Sequence, residues 1–198
     1  MRQTFPLFQS PIDLAHRYWE KILKPHDHAI DATCGNGKDT LVLANLLIPH
    51  SQESTLIGMD IQPEALARTR TLLFSHFSEK QNERIFLFQQ SHAVFPALAY
   101  QVPIRLIVYN FGYLPGGDKA ITTQSKTSIE SFEAALPLIM PGGAISATCY
   151  PGHREGENEQ NVLLSFVHTL NPSQWCVTWH TWPNRTLSPT LLLLQKCL

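Results

Sequence analysis

The stretch Asp31-Ala-Thr-Cys-Gly-Asn-Gly-Lys-Asp39-Thr40 holds the residues whose types and spacing suit ligand chemistry best. Gly35 and Gly37 let the backbone turn sharply and come close to a ligand. The helix that follows then points free N–H groups at that ligand. Asp60 stands roughly 20 residues further on, closing the next apolar run, where an acid accepts hydrogen bonds from ribose hydroxyls. A nicotinamide fingerprint, GxGxxG, needs a third glycine where Thr40 stands. A phosphate-binding P-loop needs glycine at Ala32 and a hydroxyl residue at Asp39, so that motif fails. The acids Asp31 and Asp39 flank the turn. They repel a pyrophosphate and suit a ligand carrying an ammonium and a sulfonium. S-adenosylmethionine is such a ligand, and its carboxylate can still take the helix N-terminus. Each piece has a bland reading: a GxG after a strand is often only a turn, and Asp60 can cap the helix behind Pro63. It is their combination with the order of elements that points to a cofactor.

Those elements alternate. Ser10-Pro11 starts an amphipathic helix over 10–24, with apolar positions at Ile12, Leu14, Ala15, Tyr18, Trp19, Ile22 and Leu23, and Pro25 stops it. Strands are expected at 29–33, 55–60, 84–89, 104–109 and 144–150. Helices are expected at about 39–47, 63–77, 125–139 and 157–170, and two final strands at 175–182 and 190–196. Short apolar strands separated by helices imply an α/β fold with a parallel sheet covered on both faces. The last two strands lack a helix between them and read as an antiparallel hairpin. A seven-stranded, mostly parallel sheet of this kind is the Rossmann-like fold of the class I S-adenosylmethionine-dependent methyltransferases. Ligands of open α/β sheets sit beyond the carboxyl ends of the strands. The loops at 33–39, 60–62, 90–92, 110–119 and 150–156 share that edge. Ser91-His92 would flank an adenine there, although an ordinary surface histidine fits the position as well. In the loop after the fourth strand, an Asn110 oxygen can hydrogen-bond a nucleophilic nitrogen and aim its lone pair. Tyr113 offers a flat face for a base or a sulfonium, or else packs as a lid.

The chain has 198 residues, which is one domain over 1–198 by size. Charged residues are 16% and hydrophobic ones 43%, which excludes a disordered polyelectrolyte. With 15 Lys+Arg against 16 Asp+Glu, the net charge is −1, so no global attraction to nucleic acid or acidic lipid exists and such a partner needs a local patch. No signal-peptide core shows at the N-terminus, and the longest aliphatic run, Leu191 to Leu194, is far short of a membrane span. The four cysteines, Cys34, Cys149, Cys176 and Cys197, form no CxxC pair. That fits reduced thiols in a cytoplasmic protein, with no metal site.

Asp31-Ala-Thr-x-Gly-Asn-Gly-x-Asp-Thr40, Asp60-Ile-Gln62, Ser91-His-Ala93, Asn110-x-Gly-Tyr-Leu-Pro-Gly-Gly-Asp-Lys119 and Tyr150-x-Gly-His153-x-x-Gly156 follow one another along the chain. Together they resemble the MnmM/YtqB family, first labelled rRNA methylases and understood as tRNA 5-aminomethyl-2-thiouridine methyltransferases. The resemblance spans about residues 10–196. It implies methyl transfer from S-adenosylmethionine onto the exocyclic amine of 5-aminomethyl-2-thiouridine at the wobble position of tRNA. It assigns the cofactor to Asp31, Thr33, Gly35, Asn36, Gly37, Asp39, Thr40, Asp60, Gln62, Ser91, His92 and Asn110. It assigns the target base and amine to Tyr113, Leu114, Pro115, Gly116, Gly117, Asp118, Lys119, Tyr150 and His153. Asn110, Tyr113 and His153 are the expected catalytic residues, with His153 or Asp118 as proton acceptor. The implied partner is a tRNA anticodon stem-loop, held by Arg2, Arg17, Lys21, Lys24, Lys119, Lys126, Arg154 and Arg185, and similar proteins suggest a homodimer. Two positions depart from the family pattern: Pro151 stands where histidine is usual, and Trp182 to Pro189 replaces an Asn-rich segment. The rival readings are a methyltransferase acting on rRNA or a small amine, an NAD-dependent oxidoreductase, and a non-catalytic binding module.

Overall fold

Helix α1 spans Pro11–Ile22. Ser10 caps it by accepting a hydrogen bond from the Asp13 amide, Pro11 sits in the first turn, and Asp13 and Lys21 complement the helix dipole at either end. Its buried stripe, Leu14, Ala15 and Trp19, faces the sheet. The computed structural model describes residue 5 and residues 7–112 and 125–198.

Strands β1 (His28–Asp31), β2 (Leu56–Asp60), β3 (Ile85–Gln89), β4 (Ile104–Asn110), β5 (Ile139–Cys149), β6 (Trp175–His180) and β7 (Thr190–Lys196) form one sheet in the order β3-β2-β1-β4-β5-β7-β6. The first five are mutually parallel, and β7 runs antiparallel to both β5 and β6. The sheet is the expected one: seven-stranded, mostly parallel, with a C-terminal antiparallel hairpin.

Alternate residues of each strand supply two cores, as the period of two requires. Ile107, Tyr109, Leu192 and Leu194 point to one face, where they meet Phe132 and Ala135 of α5 (Ser125–Leu138) and Leu163 and Val167 of α6 (Arg154–Val167). Leu106, Val108, Leu191 and Leu193 point to the other, against α1, α2 (Lys38–Leu47) and α3 (Pro63–Phe74). Each fully buried leucine of this kind contributes roughly 1.5–3 kcal/mol.

Several boundaries differ from the sequence reading. Strand β5 starts at Ile139, which pairs with Ile104 before a bulge; pairing resumes at Leu106 with Ala144. Pro141-Gly142-Gly143 reads as a stop, yet Gly142 adopts φ +73 and the chain bulges and carries on in the sheet. Helix α6 starts at Arg154 rather than at 157, because the His153 ring caps it. A one-turn helix α4 (Glu79–Asn82) and a 3₁₀ turn at Ala97–Tyr100 were not anticipated.

The strand order reverses between β1 and β4. That reversal opens a crevice above their carboxyl ends, the place where open α/β sheets bind ligands.

Candidate active site

The crevice is built on the β1–α2 turn. Gly35 and Gly37 both take positive φ, +54 and +78. A Cβ on Gly37 would lie 2.8 Å from the Thr69 Cα, so the turn also lies hard against α3. No side chain caps α2, whose N-cap is Gly37 itself. Its first amides therefore suit a carboxylate.

Asp31 is buried beneath this turn. Its carboxylate accepts from the Thr40 hydroxyl at 2.5 Å and the Thr33 amide at 3.1 Å. Burial, and next the neighbouring Asp39 charge, raise its carboxyl to about 7, against the two hydrogen bonds that lower it. Asp31, Thr33 and Thr40 thus brace the turn from inside. Asp60 braces it from β2: one oxygen accepts from the Gly35 amide at 2.8 Å, the other from the Gln62 amide at 2.9 Å. Asn36 turns its side-chain oxygen to Arg68 of α3 at 3.0 Å.

Beyond Asp60, Ile61 is 49% exposed, and Val94 in the loop after β3 is 66% exposed. Both are apolar side chains displayed at the sheet's ligand edge, and sequence reasoning passed over both. Ser91 accepts from the Ala93 amide, shaping that loop. The His92 ring, expected beside an adenine, is packed instead in the core against Tyr109 and Phe111. Burial lowers its pKa to about 4. The Ser131 hydroxyl donates to the His92 carbonyl and receives the Tyr109 phenol, which locks this corner.

Asp39 leads away from the cofactor turn. One carboxylate oxygen accepts from His16 Nε2 of α1 at 2.8 Å, the other from Asn110 Nδ2 of β4 at 3.0 Å. Because a carboxylate only accepts, the Asn110 amide nitrogen must face it, and the amide oxygen faces the other way. The Asn110 main-chain amide donates to Thr33 Oγ1 at 2.7 Å, tying β4 to the turn after β1. Tyr150, directly after β5, lies partly buried beside Asn110 and Asp39. Burial and the Asp39 charge push its phenol up to about 12, so it stays protonated at neutral pH.

His153 caps α6: its Nδ1 accepts from the Gly156 amide at 3.1 Å. That bond places the proton of the neutral ring on Nε2, which then has no lone pair to offer. The cap therefore argues against His153 as the proton acceptor expected from the sequence. A Cβ on Gly156 would come within 2.0 Å of the Tyr150 carbonyl oxygen, so glycine is obligatory there. Tyr113, Leu114, Pro115, Gly116, Gly117, Asp118 and Lys119 lie outside the described residues.

The residues present fit S-adenosylmethionine: an uncapped helix start that suits its carboxylate, a glycine turn that lets the backbone approach it, and the acid Asp60 with exposed Ile61 at the end of β2. The comparisons with known proteins agree. A family described as "Putative rRNA methylase" matches residues 56–196. A chloroplastic tRNA (mnm(5)s(2)U34)-methyltransferase of Arabidopsis thaliana is 35% identical over 187 residues, 93% of this chain and 68% of that protein. The chain belongs to this methylase family. Two similar proteins of known structure superpose closely. A "putative rRNA-methylase" from Clostridium thermocellum gives a TM-score of 0.86 at 29% identity, covering 96% of this chain and 98% of the other. A "putative methyltransferase" from Streptococcus mutans, in complex with S-adenosylhomocysteine (SAH), gives 0.80 at 27%, covering 96% and 99%. Family, fold and crevice together make this chain a methyltransferase that uses S-adenosylmethionine. No helix among the described residues is long and apolar enough to cross a membrane.

Proposed function

We propose that the enzyme methylates the exocyclic amine of 5-aminomethyl-2-thiouridine at the wobble position of tRNA, giving the 5-methylaminomethyl form. The observation that carries this reading is the 35% identity to the chloroplastic tRNA methyltransferase across 93% of the chain. The smallest partner in this reading is an anticodon stem-loop. Arg17, Arg154 and Arg185 supply local positive charge on a chain that is otherwise near neutral.

When bound, S-adenosylmethionine supplies an already activated methyl group. The protein's work is then alignment and exclusion of water. Asp39 holds the Asn110 side chain through its amide nitrogen. Its oxygen can then accept one N–H of the substrate amine and direct the lone pair along the line of transfer. Asp60, Asp31 and the glycine turn hold the cofactor end in a geometry set before substrate arrives. Tyr113 and the 114–119 segment complete the base site in this reading.

The test is a side-by-side assay of aminomethyl-modified tRNA, unmodified tRNA and ribosomal RNA, with mass spectrometry of the wobble nucleoside from cells lacking the protein. Accumulation of the unmethylated aminomethyl nucleoside, with turnover only on modified tRNA, is expected. Turnover on ribosomal RNA alone would favour the reading that the family's description suggests.

A further inference from the structure

The substrate amine in the function proposed above is a primary amine, protonated in water, and it must lose a proton before it can attack a methyl group. Among the described residues few groups at the crevice can take that proton; Asp118, the other acceptor expected from the sequence, lies outside them. The His92 ring is in the core, and His153 Nδ1 already accepts the Gly156 amide. The Tyr150 phenol is itself protonated. His180, at the end of β6, is engaged by Tyr18 and Thr178.

His16 differs from all of these. Its Nε2 bonds Asp39 at 2.8 Å, and a carboxylate accepts only, so Nε2 carries a hydrogen, and in the neutral ring Nδ1 then keeps the lone pair. Among the described residues Nδ1 makes no hydrogen bond. The ring leans on Trp19 at 4.7 Å between centroids, which fixes its plane. It also borders an open surface depression along α1 with Phe5, Phe8, Gln9, Asp13 and Arg17, through which solvent reaches the ring. The same Asp39 carboxylate holds Asn110 through its other oxygen. The group that would present the amine and the imidazole therefore hang on one carboxylate, two hydrogen bonds apart.

We propose that His16 is the proton acceptor of the reaction, oriented by Asp39. Resting on the amine-methylation reading, the step balances simply. His16 Nδ1 takes one proton from the substrate ammonium, directly or through one water, giving the free amine and an imidazolium. The amine lone pair then forms the N–C bond to the methyl group as the S–C bond breaks, its electron pair staying on sulfur. The product leaves as a secondary ammonium. His16, with its side chain 24% exposed, returns its proton to solvent.

The charged and titratable groups around His16 are Asp39 on α2, Asp13, Arg17 and Glu20 on its own helix, and Tyr150 behind Asp39. A single imidazole limb in the pH profile must therefore be assigned by substitution. His16→Gln keeps an N–H for Asp39 and loses the titrating lone pair. Its kcat on aminomethyl-modified anticodon stem-loop is expected to fall on the order of 10²–10⁴-fold at pH 7. The deficit should shrink about tenfold per pH unit as the amine deprotonates by itself, while KM and SAH affinity change less than about threefold. A kcat within threefold of wild type overturns the proposal, as does an equal loss at every pH or a parallel loss of SAH binding. Histidine tautomers read by ¹⁵N NMR on the wild-type protein give an answer that needs no variant: a proton on Nδ1 of His16 also overturns it. Failure of the wild-type enzyme on the aminomethyl substrate is failure of the substrate reading, and the tautomer then decides this one.

Discussion

The Trp19 indole Nε1 donates to the Ser146 hydroxyl at 2.9 Å, and both residues are buried. This bond joins the middle of α1 to β5. It sets the helix that carries His16 over the sheet. In Ser146→Ala the indole N–H is left buried without its acceptor, a cost of roughly 1–3 kcal/mol. The urea midpoint should fall accordingly, and amide exchange in α1 should quicken more than in α5. An unchanged midpoint would show that the apolar stripe alone seats the helix.

Gly37→Ala meets two penalties at once. The backbone sits at φ +78, and the new Cβ lands 2.8 Å from the main chain of Thr69. Strain of the left-handed conformation alone is worth roughly 1–2 kcal/mol. Calorimetric SAH affinity should drop at least about tenfold, since 1.4 kcal/mol corresponds to a factor of ten. Retained affinity would remove this turn from the cofactor site.

Two buried groups make stability depend on pH in opposite directions. The folded pKa of His92 is depressed by burial to about 4, so its contribution is fully present above the unfolded value near 6.5 and is lost as pH falls towards 4. For Asp31 burial raises the folded pKa to about 7, so its contribution is present below the unfolded value of 3.8 and is lost as pH rises towards 7. Each amounts to a few kcal/mol in order of magnitude, and in the wild type they offset each other between pH 4 and 6.5. His92→Phe should unmask a stability that declines with rising pH, and Asp31→Asn one that increases with it. Denaturant titrations at pH 4.5, 5.5 and 6.5 read both slopes. Identical profiles in the two variants would mean neither group titrates as its burial implies.

Gly156→Ala forces the first turn of α6 away from the Tyr150 carbonyl, because no shift of a side chain can relieve a 2.0 Å approach to main chain. Tyr150 neighbours Asn110 and Asp39, so the loss should appear chiefly in kcat, with SAH affinity changed less than about threefold. An equal loss in both would mean that the Tyr150 corner and the cofactor turn move as one.

Much of this architecture can be read from the chain. Ser10-Pro11 and Pro25 bracket α1 because a cap, a fixed φ and a missing N–H act locally. Leu191 to Leu194 are apolar on successive residues because β7 is covered on both faces. What escaped reading depends on partners distant in sequence. Pairing with Ile104 keeps Ile139 in β5 past a Pro-Gly-Gly that signals a break. His153 is an unusual cap, and its position was marked only by the close approach that Gly156 permits. The His16–Asp39 contact links helices whose relative placement no periodicity encodes. The only trace in the sequence was a histidine beside the apolar stripe of an otherwise ordinary amphipathic helix. His92 was misplaced for a related reason: its neighbours Tyr109 and Phe111 come from another strand.

Asp60 receives the Gly35 amide with one oxygen and the Gln62 amide with the other. If Asp60 also grips the cofactor's sugar, as proposed, the same acid is the keystone of the bend that would cradle the amino-acid end of that molecule. Affinity for the two halves of the guest would then not be tunable separately. A lineage drifting towards another donor molecule would have to rebuild both halves together, which makes the acceptor loops, and not this corner, the part of the enzyme open to evolutionary change.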